Sequence, residues 1–206
     1  KAKAVIEKIK AFQDDNSSLE YHSGSVFNYD QDLLKQYSWL VDTSASLNVQ
    51  NWLVNSKLSI VPNRARAEIA FKGNLGFLYI EGANQNPRID DLVNYIYFLG
   101  VKNDIISSWL IEENRKKEGH DYDIVDIGIG CNSPTVVMSN DSMSFHASIF
   151  SKILNNEYRR KAIKKKGLIN ISFISDDGFS VNSNSLLIPA LDTFKCCNNS
   201  GWEIRM

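Results

Sequence analysis

Six basic side chains fall within eight residues of this 206-residue chain: Arg159, Arg160, Lys161, Lys164, Lys165 and Lys166. Such a density of cations can contact phosphate groups, and it can equally complete the negative end of a helix. Two acidic residues, Glu68 and Glu81, stand 13 positions apart, about the separation that one β-hairpin requires. The stretch Val125-Asp126-Ile127-Gly128-Ile129-Gly130 has glycines that would let backbone approach a ligand closely. Asn132 and Ser133-Pro134 then interrupt any helix after it. The three histidines, at 22, 120 and 146, have no ligand-type spacing to one another or to a cysteine, so a structural zinc site is not expected. His146, between Phe145 and Ala147 on an expected strand, reads as a core or rim histidine rather than a general base.

These residues must be carried by a globular frame. Hydrophobic residues make up 43% of the chain and charged residues 23%, which excludes a disordered or fibrous protein. No apolar run approaches the roughly 18 residues of a membrane helix. Charges nearly cancel, 23 Lys+Arg against 24 Asp+Glu, so contact with DNA must rest on a local patch rather than a global field. Three cysteines, two of them adjacent at 196 and 197, argue against a disulfide scaffold. With no charged-then-apolar leader, a reducing, cytoplasmic setting is expected. A start at Lys1 without Met reads as a fragment or trimmed chain. No linker divides the sequence, so residues 1–206 are expected to form one domain.

Val5, Ile6, Ile9 and Phe12 are spaced for a first amphipathic helix. Leu33, Leu34, Tyr37 and Leu40 predict a second, with Asp30 as its N-cap, and a helical turn follows over 47–54. The period then changes to two. A short strand is expected at 58–60. Arg64 to Lys72 alternates, with Ala65, Ala67, Ile69 and Phe71 on one face and Arg64, Arg66, Glu68 and Lys72 on the other. Gly73-Asn74 reads as a turn into a third strand, Leu75 to Glu81. A helix over 89–99 breaks near Gly100, a second piece runs 104–117, and a strand covers 122–130. Further strands are expected at 135–138, 142–147, 168–175, 178–182 and 185–188. A helix is expected over 149–165, and an irregular tail around Trp202.

Helix, strand, strand, strand, helix, strand over residues 30 to 130 resembles the common core of the PD-(D/E)XK nuclease superfamily, the restriction-endonuclease-like fold. Arg66-Ala67-Glu68-Ile69-Ala70-Phe71 looks like its second core strand, and Phe77-Leu78-Tyr79-Ile80-Glu81-Gly82-Ala83 like its third. Asp91-Leu92-Val93-Asn94-Tyr95 keeps the Leu and Tyr of a Gln-Leu-x-x-Tyr element found in some branches. The resemblance implies an α/β fold with residues 131–206 as an embellishment. It further implies Glu68 and Glu81 as ligands of Mg²⁺ or Mn²⁺, a cation that polarises the scissile phosphate and activates water. The chain would then be a DNA endonuclease that dimerises to cut both strands. Two departures stand out. Ala83 occupies the position of the motif lysine, and position 68 is Glu where Asp is usual. Without the lysine the enzyme would cleave poorly or not at all, unless Lys72 substitutes.

The alternative is a non-catalytic module on the same fold, holding nucleic acid or a protein, with the basic run at 159–166 as the phosphate-contacting face. An outsider is an S-adenosylmethionine-dependent methyltransferase, whose cofactor-gripping turn 125–130 resembles. Only 76 residues remain after Gly130 to build the rest of that fold.

Overall fold

The computed structural model describes residues 2–10, 18–34, 36–44, 46–55, 63–117, 124–125, 135–136, 138–159, 166–175, 178, 180–191, 193–195 and 203–205. Its centre is a five-stranded mixed sheet in the order β1-β2-β3-β6-β7. These strands are Trp39–Asp42, Asn63–Ala70, Leu75–Ile80, Gly167–Ile174 and Val181–Ile188. β1 runs parallel to β2, joined across α3 (Leu47–Asn55), and every other pairing is antiparallel.

β3 is buried at all six positions, as a central strand covered on both faces should be. Period two divides its side chains. Leu75, Phe77 and Tyr79 pack with Leu92 and Ile96 of α4 (Ile89–Leu99) and Ile106 of α5 (Asp104–Lys117). Leu78 and Ile80 pack on the opposite face with Ala65, Leu168 and Phe150 of α6 (Asn140–Arg159). The result is an α/β/α sandwich. Side chains at the helix starts satisfy otherwise orphaned N–H groups. The Ile106 N–H donates to Asn103 Oδ1 at 3.0 Å, and the Arg88 N–H donates to Asp91 Oδ2 at 2.9 Å.

The helices α1 (Ala2–Ile9), α3, α4 and α5 and the strands β2 and β3 lie where periodicity puts them. Asp30 caps α2 (Gln31–Leu34), accepting the Asp32 N–H at 2.9 Å. Four expectations are corrected. The second helix does not reach Leu40. Trp39-Leu40-Val41, aromatic and β-branched, instead forms edge strand β1 against β2, a pairing that overrides local helical spacing. Residues 142–147 are not a strand. Ser142, His146 and Phe150 recur every fourth residue on the buried side of α6, and Ser139 Oγ accepts the Ser142 N–H at 3.4 Å. The two pieces expected over 178–188 are one strand, β7. The tail is not wholly irregular, since β8 (Thr193–Lys195) pairs antiparallel with β9 (Glu203–Arg205).

The strand expected over 122–130 is described only as β4 (Ile124–Val125), which pairs with β5 (Thr135–Val136), while β6 holds the place beside β3. The strand expected at 58–60 lies outside the described residues, as do Trp202 and the cysteines. Among the described residues, no helix is long and apolar enough to cross a membrane.

Candidate functional site

The alternation of β2 puts Arg64, Arg66 and Glu68 on one face, and the ladder aligns Arg66 with Tyr79 and Glu68 with Phe77. This charged face is not solvated. Arg64 and Arg66 are 1% and 3% exposed: α4 lies against β2, and Arg64 Nη1 donates to the Leu53 carbonyl of α3 at 2.6 Å. Buried charge must be paired and hydrogen-bonded to persist, and Arg66 shows how. Its Nη1 lies 3.1 Å from Asp42 Oδ2, and its Nε and Nη2 each lie 3.1 Å from Glu68 Oε2. The Tyr79 hydroxyl donates to Glu68 Oε1 at 2.9 Å. Asp42 accepts from the Ser44 N–H and hydroxyl at 2.9 and 2.6 Å. Burial, followed by the charge of Glu68, pushes the Tyr79 hydroxyl well above the ordinary tyrosine range, so it remains a donor.

Glu81 follows β3 directly. Its N–H donates to the Arg64 carbonyl at 3.0 Å, so it stands across from Arg64. Oε1 accepts the Ile89 N–H at the start of α4, at 3.2 Å. Oε2 is buried with no hydrogen-bond donor among the described residues. The Arg64 Nε lies 3.9 Å away, near enough to be felt as a charge but too far to hydrogen-bond. Burial therefore raises Glu81 to about 7, with Arg64 opposing the shift.

The register separates the two glutamates. Glu81 faces position 64 and Glu68 lies four residues further along β2, about 13 Å at the rise of a strand. Ligands of one cation sit ~2–2.6 Å from it, so Glu68 and Glu81 do not fit a shared Mg²⁺ or Mn²⁺. Among the described residues no group of three or more His, Cys, Asp or Glu side chains is arranged to hold a metal. Ala83 begins a tight turn, Ala83–Gln85, in which Asn84 has φ 55°.

Glu68 shares a cleft with Lys72 instead. Lys72 leaves the strand in a turn at φ 54°. Both line this cleft of about 450 Å³, together with Tyr79, Asn94 and Tyr97 of α4, and Trp109 of α5. Glu81 and Ala83 do not line it. Of the basic run, Arg159 is exposed at the end of α6, donating to Asn155 Oδ1 at 3.1 Å, and Lys166 is exposed before β6. Arg160, Lys161, Lys164 and Lys165 lie outside the described residues, as does most of the glycine-rich stretch at 125–130.

Asp42, Tyr79 and Trp109 belong to this region although their types and spacing did not single them out. Tyr79 was legible as a same-face neighbour of Phe77 on an alternating strand. Asp42 was hidden because its strand reads as helix. Trp109 becomes a lining residue only when α5 folds back over the sheet. His146 is a satisfied core residue. It is fully buried, with Nδ1 2.6 Å from Ser172 Oγ and Nε2 2.9 Å from the Gly73 carbonyl. No protein-family model matches the chain, and no curated protein matches it in sequence.

Proposed function

We propose that the chain is a nucleic-acid-binding module on an α/β frame, without a working phosphodiesterase centre of its own. The observation that carries this reading is the four-residue offset of Glu68 from Glu81. It leaves Glu68 engaged with Arg66 and Tyr79 and Glu81 sealed beneath the start of α4. Ala83 supplies no amine near either carboxylate. Six cations in eight residues at 159–166 offer a contact for phosphate, and the cleft beside Glu68 adds aromatic surface on which an unpaired base can stack.

Fluorescence anisotropy of the full chain with single-stranded and duplex oligonucleotides, across salt concentrations, tests it. Binding is expected, with log affinity falling as log salt rises and a smaller slope after charge reversal at Lys164, Lys165 and Lys166. With Mg²⁺ or Mn²⁺ the DNA should remain intact. No binding at low salt would reject the reading. Cation-dependent cleavage by the unaltered chain, abolished by Glu81→Gln, would return the protein to the endonucleases.

A further inference from the structure

The cleft between β2, α4 and α5 has features that the charge network does not use. Its volume of about 450 Å³ falls within the range of small-molecule sites. Its lining is partly aromatic, with Phe71, Tyr79, Tyr97 and Trp109, and behind it the buried Phe77 stacks on Tyr79 with centroids 6.0 Å apart and meets the Trp109 ring at 5.1 Å. Two polar groups in the lining have capacity left over. A carboxylate can accept about four hydrogen bonds. Glu68 receives Tyr79 on Oε1 and two Arg66 nitrogens on Oε2, and its side chain is 20% exposed. The Trp109 Nε1–H is buried with no acceptor among the described residues, a state that costs stability unless something supplies one. Lys72 stands exposed among the lining residues and carries positive charge.

Aromatic lining residues, one open acceptor, one unmatched donor and a nearby cation match a planar heterocycle with a donor and an acceptor on its edge, joined to an anionic group. We propose that this cleft binds a nucleoside 5′-phosphate, either free or as an unpaired residue of a strand. The base lies against the aromatic lining residues. Glu68 accepts from an amino or imino N–H of the base, Trp109 donates to a ring nitrogen or carbonyl oxygen, and Lys72 meets the phosphate. The strand form of the ligand rests on the nucleic-acid reading above, whereas the free nucleotide does not.

Calorimetric titration of the full chain with AMP, GMP, CMP and UMP, with ribose 5-phosphate and inorganic phosphate as base-free controls, is the test. At least one nucleotide should bind at a single site, roughly tenfold or more tighter than ribose 5-phosphate. Trp109→Phe keeps a ring but removes the donor, and should weaken that binding by roughly tenfold. Lys72→Gln, at an exposed turn position, should weaken the nucleotide and leave the matching nucleoside unchanged in a protein whose melting temperature matches the parent's. Equal affinity for nucleotide and ribose 5-phosphate would overturn the proposal. So would a Trp109→Phe protein that melts like the parent and binds as tightly, or a Lys72→Gln protein that loses nothing. Displacement of a labelled single-stranded oligonucleotide by the mononucleotide would identify a strand residue as the ligand, and nucleotide binding without displacement would identify the free form. Salt-dependent oligonucleotide binding with no mononucleotide binding would overturn this inference and leave the function reading standing. Loss of both would remove both.

Discussion

Glu81 is the residue whose chemistry depends most on where the fold puts it. Its carboxyl titrates near 7 when folded, against 4.5 when free, so the native state holds the proton more tightly than the unfolded chain. Stability from this group is then fully present below pH 4.5 and is lost as pH rises towards 7. The whole swing is roughly 3 kcal/mol. Glu81→Gln keeps an acceptor for the Ile89 N–H and removes the titration. Thermal melts of that variant from pH 4.5 to 8 should show a flatter profile than the parent, and an unchanged profile would contradict the assignment. Arg66 is the second case. Its single positive charge bridges two carboxylates, and its burial makes that geometry demanding. Arg66→Met should cost roughly 3–5 kcal/mol in chemical denaturation, because Asp42 and Glu68 would lose their partner. Arg66→Lys should recover little, since one ammonium cannot reproduce the planar fork.

At the scale of elements, α6 is fastened to the sheet by one polar pin. The carbonyl of Gly73 can only accept, so His146 Nε2 carries the proton, and Nδ1 at 2.6 Å then takes the single Ser172 hydroxyl proton in preference to the Gly76 carbonyl at 3.3 Å. Burial lowers the pKa of this imidazole. The pin therefore contributes stability above pH ~6.5 that is lost as pH falls through the lowered value, the opposite slope to Glu81. Gly76 exists to admit the ring. A Cβ there would lie 2.5 Å from His146 Nδ1 and 2.7 Å from Ser172 Oγ. Gly76→Ala should thus push α6 off the sheet and leave buried polar groups unpaired, at roughly 1–3 kcal/mol for each group. A melting temperature equal to the parent's would show that the pin carries no load.

For the whole molecule, protection should follow depth in the sandwich. β3 is buried on both faces and paired on both edges, whereas five of the eight residues of β7 are exposed in succession and Val5 and Ile9 of α1 are 53% and 45% exposed. Hydrogen exchange measured by mass spectrometry should find β3 and the adjoining β6 opening only with global unfolding, and α1 opening first. Early exchange in β3 would mean that the sheet is not the stable centre of the fold.

Local pattern was enough for the elements whose partners are close in sequence. The β2–β3 hairpin follows from alternation flanking Gly73-Asn74, and α4 and α5 follow from apolar spacing broken at Gly100. Both signals are periodicities of the chain itself. The same period put Glu68 and Glu81 on one face, but it could not say how far apart. That distance is set by the ladder pairing Glu68 with Phe77, and register is a property of two strands, not of one. β1 escaped for the same reason: Trp39-Leu40-Val41 is a strand only because β2 lies beside it. The cleft was still less legible. Lys72, Glu68 and Trp109 share it because α5 packs over the sheet, a contact between residues up to 41 positions apart that burial of Phe77 and Ile106 selects and no spacing in the sequence records.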